Sequence, residues 1–308
     1  MPIAKSDTIW MDGEFVDWDH ATVHYLTPTL HYGYGVFEGI RAYATDRGPA
    51  VFQLEAHVHR MFQSARIYPP LDDIPWSEAE VCEAIKETIR RNRHDACYIR
   101  PSIFLGYGEM GLNPLPSTPR LAIATWEWGT YLGDEALEKG VRVMTSSWRR
   151  IGKNTIPPAA KANGQYINSS LAKVEAIRAG YDEAIMLTED GYLSEGTGEN
   201  IFLVRDGMLL TPPLCDGPLG GITRATVLTL ASDLDIPVHE THLVRTDLYL
   251  ADEAFLTGTA AEVAPVREAD GRVIGVRGPV TTRIQSLYMD VVRSRVDKYK
   301  EWLAYVQE

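Results

Sequence analysis

The chain alternates between short runs with an apolar residue at every second position and longer runs with apolar residues at helical spacing. Residues 8–16 and 21–26 read as short strands, with a turn at Asp12-Gly13. Residues 34–43 read as another strand, followed by a Gly48-Pro49 turn and a strand near 50–53. LEAHVHRMFQSARI has the apolar spacing of a helix at about 55–66, and WSEAEVCEAIKETIRRN that of a clearer one at about 77–92. Ser77 is its expected N-cap, and Glu80, three residues on, completes a capping box. ACYIRPSIFLGYG and LAIATWEWG read as strands.

The stretch GTYLGDEALEKG reads as a linker between two halves, so the expected division is 1–128, a linker at 129–138, and 139–308. In the second half, Asp190-Gly191 and Asp206-Gly207 sit between apolar runs and predict two hairpins. NGQYINSSLAKVEAIRAG places Ile167, Leu171, Val174 and Ile177 along one helical face, with Gly180 able to end the helix. ITRATVLTLASDL is a helix with Val227, Leu230, Ala231 and Leu234 on one face, and a last helix is expected over about 281–305. The pattern is that of a mixed α and β protein, with no internal repeat.

Composition changes this picture in one respect. The 308 residues carry a formal net charge of −12, which argues against nucleic acid or an anionic membrane as the main partner. Basic groups that matter are then local and aimed at a small anion. The three cysteines, Cys82, Cys97 and Cys215, form no CxxC pair, so neither a metal site nor a disulfide framework is read from them. No signal-peptide run opens the chain and no apolar segment reaches the ~18 residues of a membrane span, and a reducing cytoplasm is the expected location.

Candidate chemistry centres on IPPAAKANGQY. Lys161 stands among Ala159, Ala160, Ala162 and Gly164, with no carboxylate within ten residues on either side. Small neighbours leave room beside the amine, and an amine without a local salt bridge suits Schiff-base chemistry. Alone, Lys161 reads more readily as a solvated loop lysine. Four further features shift the balance. Tyr166 opens the following helix, where its phenol faces either a cofactor oxygen or the sheet. Glu195 lies among the small residues of SEGTGEN, where alone it reads as an exposed turn glutamate and otherwise as a carboxylate that keeps a pyridine nitrogen protonated. Gly220-Gly221 precede a helix that begins at ITR, which reads equally as an ordinary turn or as an anion site with the Thr223 hydroxyl at hand. Gly258, Thr259 and Ala260 repeat that theme after an apolar strand. Arg60 is a basic candidate on a helix. In HYGYGVFEG, Gly33, Gly35 and Gly39 are one residue too widely spaced for a dinucleotide fingerprint and read as close-packing positions beside a ligand.

Taken together, HYGYGVFEGIRAY, YIRPSIFLG, NTIPPAAKANGQYINSSLAKVEA, GYLSEGTGENIF, GGITR and DLYLADEAFLTGTAAEVAPVREADGR resemble the class IV, D-amino-acid-transferase-type pyridoxal-phosphate enzymes. Among these, the sequence is most similar to the branched-chain amino acid aminotransferases, over nearly the whole chain. The resemblance implies a mixed α/β fold of two domains with pyridoxal 5'-phosphate in the interdomain cleft. It implies Lys161 as the Schiff-base lysine, Glu195 at the pyridine nitrogen and Tyr166 at the phenolic oxygen. It places Arg60, Gly221, Ile222, Thr223 and Thr259 about the phosphate, and Leu219 against the ring.

The substrate side follows in the same way. Tyr98 and Arg100, two apart on a strand, leave one face, and YIRP resembles the branched-chain enzymes more than the D-amino-acid or (R)-amine members. The resemblance gives the α-carboxylate to Tyr98 and the backbone of Thr259, Ala260 and Ala261. It gives the glutamate side chain to Arg100, Tyr32 and Tyr131, and the apolar pocket to Phe37, Gly39, Met110, Leu112 and Trp128. The implied reaction is reversible transamination of leucine, isoleucine and valine with 2-oxoglutarate, the last step of their biosynthesis. The implied assembly is a homo-oligomer, at least a dimer and up to a hexamer. Tyr34-Gly35 and GYGEMGLNP, with Glu109, depart from the common pattern and leave the substrate order open. The alternatives are a D-amino-acid or (R)-amine transaminase, an aminodeoxychorismate lyase, a cofactor-free aldolase and a non-enzymatic binding protein.

Overall fold

A computed structural model describes residues 3–129, 134–275 and 277–307. The first elements are β1 (Thr8–Met11), β2 (Glu14–Asp17), α1 (Pro28–Tyr32), β3 (Gly35–Phe37), β4 (Ile40–Thr45), β5 (Gly48–Phe52), α2 (Leu54–Ile67), α3 (Glu78–Asn92), β6 (Cys97–Leu105) and β7 (Pro119–Trp126). Then follow α4 (Asp134–Lys139), β8 (Val141–Thr145), α5 (Tyr166–Arg178), β9 (Glu183–Leu187), β10 (Leu193–Glu195), β11 (Asn200–Arg205), β12 (Met208–Thr211) and α6 (Ile222–Asp233). The chain closes with β13 (Val238–Glu240), α7 (Arg245–Tyr249), β14 (Glu253–Gly258), β15 (Glu262–Ala269), β16 (Arg272–Val273), α8 (Pro279–Val292) and β17 (Leu303–Tyr305).

Contacts divide the chain into two units. The first contains Met1–Trp128, Ala160–Gly164 and Val291–Glu308, and the second Gly129–Ala159 and Gln165–Asp290. Residues 160–164 and 291–308, which the sequence pattern assigns to the C-terminal half, thus pack with the N-terminal one. The expected linker at 129–138 lies partly outside the described residues, and its end is the helix α4.

The first unit is built on a sheet in the order β17-β5-β4-β6-β7-β1-β2, with β3 paired to β6. Val51, Ile99, Ile103, Leu121 and Ile123 from its strands are buried with Val58 and Met61 of α2 and Val81, Ile85 and Ile89 of α3. The Ser77 capping box is formed, with Glu80 N–H donating to Ser77 Oγ and Ser77 N–H to Glu80 Oε2. Asp12 and Gly13 both take positive φ (50° and 97°), which turns β1 into β2. Three expectations change here. Residues 21–26 form no strand; the next element is α1, started by Pro28. The expected strand 34–43 is two strands, broken at Glu38-Gly39 because the Glu38 carboxylate turns inward to Arg60 and His57. The last helix stops at Val292, and Leu303–Tyr305 pair instead with Phe52–Ala50.

The second unit is built on a sheet in the order β10-β9-β8-β15-β14-β11-β12-β13, with β16 on β15. Its pairs β8–β9, β8–β15 and β12–β13 are parallel and the others antiparallel. Both Asp-Gly hairpins are present, with Gly191 at φ 89° and Asp206 and Gly207 at φ 50° and 74°. In α5 the packing differs from the hydrophobic pattern. Ala172 and Ala176 are buried with Ala184 and Met186, letting the helix approach β9 closely. Ile167, Leu171, Val174 and Ile177 remain 67%, 42%, 46% and 58% exposed. Among the described residues no helix is long and apolar enough to cross a membrane.

Candidate active site

In the first unit, residues 160–164 run beside β3. Phe37 N–H donates to Lys161 O at 3.1 Å, Gly164 N–H donates to Gly33 O at 3.0 Å, and Val36 bridges Ala162. Ala160 and Ala162 are buried in the core, while Lys161 between them is half-buried, as alternation along an extended segment requires. Two of the small residues around Lys161 therefore serve core packing rather than open space. Lys161 N–H donates to Ser64 Oγ at 3.0 Å, and its Nζ lies 5.1 Å from the centre of the Phe37 ring.

The glycines at 33, 35 and 39 are close-packing positions, though against the protein itself. A Cβ on Gly33 (φ 66°) would meet Gly164 Cα at 3.0 Å, and one on Gly35 would meet Ile103 O at 3.2 Å. A Cβ on Gly39 would overlap the Tyr98 hydroxyl.

The α2 helix presents His57, Arg60 and Ser64 inward. Arg60 grips Glu38 with Nε on Oε1 at 2.6 Å and Nη2 on Oε2 at 2.8 Å, and His57 Nδ1 donates to Oε2 at 2.8 Å. Burial alone would raise the Glu38 carboxyl, but Arg60 and His57 overcome it and hold the group well below the usual carboxylate range. Burial lowers the His57 pKa against the pull of Glu38, so the neutral imidazole is favoured.

Arg100 reaches Tyr98 Oη at 3.4 Å, and its guanidinium lies over Phe37 (4.8 Å), Tyr98 (5.4 Å) and Trp126 (5.9 Å). Its buried Nε has no hydrogen-bond partner among the described residues. Trp128 meets Tyr98 edge-on at 4.7 Å. The fold thus joins Phe37, Gly39, Tyr98, Arg100, Trp128 and Lys161. Tyr32, Met110 and Leu112 lie on exposed segments of the same unit, 46%, 42% and 89% exposed. Tyr131 lies outside the described residues.

In the second unit, Glu195 ends β10 with its carboxylate buried. Arg150 Nε approaches Oε1 at 2.8 Å, and Leu219 N–H donates to Oε2 at 2.9 Å. Asn200 Nδ2 bridges Leu219 O at 2.9 Å and Glu195 Oε2 at 3.5 Å. Gly221 is the N-cap of α6, and a Cβ there would overlap Asn200 Oδ1. The first intrahelical bond is Ala225 N–H to Gly221 O, so the N–H groups of Ile222 and Thr223 have no partner within the helix. Thr223 is buried. Thr259 and Ala260 are half-buried, and Ala261 buried, in the turn joining β14 to β15. Nearby in sequence, the Thr257 hydroxyl is buried with no partner among the described residues. Tyr166 is half-buried at the start of α5.

Behind SEGTGEN lies a buried acidic network. Glu183 accepts Thr197 Oγ1 at 2.7 Å and Lys173 Nζ at 2.6 Å. Glu199 accepts Gly198 N–H at 3.0 Å, and burial followed by Glu183 pushes its carboxyl up to about 8. Residues that sequence reasoning missed are Glu38, His57, Arg150, Asn200 and Glu199. Glu199 and Asn200 stand within SEGTGEN itself and Glu38 within HYGYGVFEG, but the sequence pattern assigned a role to none of the five.

Residues 35–269 match the amino-transferase class IV family. The chain belongs to the class IV aminotransferases. A Pseudomonas aeruginosa relative named branched-chain-amino-acid aminotransferase is 49% identical over 310 residues, covering 100% of both chains. The crystal structure of the Escherichia coli branched-chain amino acid aminotransferase superposes with a TM-score of 0.95 at 47% identity, covering 98% of this chain and 100% of that one. The T.th. branched-chain amino acid aminotransferase, solved with N-(5'-phosphopyridoxyl)-L-glutamate and with 4-methylvaleric acid, gives a TM-score of 0.93 in both complexes. It is 46% identical and covers 98% and 99% of the two chains.

This aminotransferase depends on pyridoxal 5'-phosphate. Its residues fit the group. Lys161 supplies a half-buried primary amine, and α6 supplies an anion-binding N-terminus kept open by Gly221. Glu195 supplies a buried carboxylate, and Thr257 an unpaired hydroxyl.

Proposed function

We propose that this aminotransferase exchanges an amino group between leucine, isoleucine or valine and 2-oxoglutarate, giving branched-chain 2-oxo acids and L-glutamate in two half-reactions. One observation carries the reading: the Arg100 guanidinium stacks among Phe37, Tyr98 and Trp126 with its Nε unpaired among the described residues. Such a group accepts the side-chain carboxylate of glutamate. When an apolar side chain is bound instead, the aromatic faces still hold the guanidinium. The complexes of the T.th. relative with a phosphopyridoxyl-glutamate and with 4-methylvaleric acid support both halves of this reading.

When bound, the cofactor supplies an electron sink and an amino-group carrier. In our reading Lys161 is the residue it attaches to, and the Lys161 amine, once released, moves the substrate Cα proton. Glu195, held by Arg150 and Leu219 N–H, faces the pyridine nitrogen, and Tyr166 faces the phenolic oxygen. Leu219 lies against the ring. The phosphate goes to Gly221, the N–H groups of Ile222 and Thr223, Thr259 and Arg60, which Glu38 orients. The Tyr98 hydroxyl takes the α-carboxylate with the backbone of Thr259, Ala260 and Ala261. Arg100, Tyr32 and Tyr131 take the γ-carboxylate, and Phe37, Gly39, Met110, Leu112 and Trp128 form the apolar wall.

The assembly is a homo-oligomer, at least a dimer, located in the cytoplasm and serving branched-chain amino acid biosynthesis. The exposed apolar stripe of α5 supports self-association, because such surface is costly to leave in water. Sedimentation of Leu171→Glu beside the parent chain tests that reading, and an unchanged oligomer would remove α5 from the contact. The three free thiols suit a reducing compartment.

The test of function is a spectral titration of the purified protein. L-Leucine lowers the visible cofactor band and 2-oxoglutarate restores it. A band that ignores L-leucine but responds to D-alanine or (R)-1-phenylethylamine would replace the proposed substrate class.

A further inference from the structure

Among the described residues, the second unit carries one cluster of metal-ligating groups, and it includes a cysteine whose sequence spacing gave no metal motif. Cys215, Asp216 and His242 bring a sulfur, a carboxylate oxygen and an imidazole nitrogen within 4.8 Å of one another. A tetrahedral zinc-type ion with bonds of about 2.0–2.3 Å separates its ligand atoms by roughly 3.4–3.8 Å. His242 Nδ1 and Asp216 Oδ2, 2.7 Å apart around a shared hydrogen, part slightly to reach that spacing, while the Cys215 sulfur closes in from within 4.8 Å.

The donors are mounted on constrained backbone. Leu214–Asp216 form a 3-10 turn, with Asp216 N–H donating to Pro213 O at 2.9 Å and Gly217, at φ 82°, capping it. The buried Asp216 carboxylate accepts His242 Nδ1 at 2.7 Å. The His242 ring packs on Tyr192 at 4.9 Å. Cys215 completes the group as a free, exposed thiol.

An Asp–His contact at a surface is an ordinary ion pair. The sulfur changes the chemistry, because thiolate with imidazole and carboxylate is a donor set for zinc-type ions, whereas magnesium and calcium take oxygen. We propose that Cys215, Asp216 and His242 form a binding site for a thiophilic divalent cation of the zinc class, with water in the fourth position. On binding, the Cys215 thiol proton passes to solvent, the hydrogen bond between His242 Nδ1 and Asp216 is given up, and His242 ligates as the neutral Nε2–H tautomer through Nδ1 beside the Asp216 carboxylate. The site also adjoins the support of Glu195. Ser194 Oγ donates to Asp216 O at 3.0 Å, and Arg150, paired with Glu195, reaches Gly217 O at 3.4 Å.

The chelator-treated holoenzyme is titrated with cobalt(II) and then with zinc(II). One equivalent of cobalt produces ligand-field bands at the red end of the visible spectrum, clear of the cofactor, and one equivalent of zinc bleaches them. Cys215→Ser and His242→Ala each weaken binding at least about tenfold, while turnover in chelator stays at the parent value. Bands that persist at full affinity in both variants would assign the metal to the cofactor or to other side chains. A second readout needs no variant: zinc slows alkylation of Cys215 by iodoacetamide, read by mass spectrometry. Unslowed alkylation, or no cobalt bands at one equivalent, overturns the site.

Discussion

Arg60 and Glu38 form a bidentate ion pair, Nε to Oε1 at 2.6 Å and Nη2 to Oε2 at 2.8 Å, around a carboxylate with no solvent exposure. An arginine expected from the sequence to serve a phosphate is thus aimed by an acid that the sequence pattern did not mark. Glu38→Gln removes the buried negative charge that Arg60 grips. The expected loss is about 3–5 kcal/mol of stability in urea unfolding, together with weaker cofactor retention on dialysis. A loss below about 1 kcal/mol would show that another group compensates Arg60.

The two glycines before α6 separate by experiment. A Cβ on Gly221 overlaps Asn200 Oδ1, whereas one on Gly220 meets only Leu214 Cδ1 at 4.0 Å. Gly221→Ala pushes away the amide that joins Leu219 O to Glu195, so cofactor affinity falls. Gly220→Ala stays near the parent value. Equal effects from the two, measured by fluorescence titration of apoenzyme with pyridoxal phosphate, would dismiss the Asn200 contact as the cause.

Arg100→Met keeps an apolar stem beside Phe37 and Tyr98 but removes the guanidinium. KM for 2-oxoglutarate is expected to rise about 10–100-fold, the worth of a charge-assisted contact. KM for leucine is expected to change far less. Steady-state kinetics with each substrate varied decides it, and a parallel rise for both would take Arg100 out of γ-carboxylate selection.

Glu199 predicts a pH dependence. Burial, then Glu183, raises its carboxyl from 4.5 to about 8. Between those values the folded protein holds a proton that the unfolded chain has released, so the contribution of Glu199 to stability is fully present below 4.5 and is lost as pH rises through about 8. Glu199→Gln keeps the neutral shape without the titration. Unfolding free energies across that window should therefore slope less in the variant than in the parent chain, and identical slopes would remove Glu199 as their source.

Local chemistry carried much of this protein in the sequence alone. The Ser77–Glu80 capping box, the Asp-Gly turns, the end of α5 at Gly180 and the start of α6 after Gly221 each depend on residues within one turn of chain. Backbone dihedrals and neighbouring hydrogen bonds settle such features wherever they occur. The class IV resemblance was legible too, because its motifs are short local stretches that stand in the family's order along the chain.

Tertiary structure decided the rest. The apolar spacing of α5 is helical, yet small residues, Ser169, Ala172 and Ala176, occupy its buried face against β9 while the larger apolar side chains stay exposed. The final helix yields to β17, since pairing with β5 across about 250 residues satisfies backbone groups that no local pattern reveals. Glu38 with Arg60, Arg150 with Glu195, and Cys215 and Asp216 with His242 are likewise partners by fold alone. A charge or a donor atom has meaning only through what faces it, and distance along the chain does not encode distance in space.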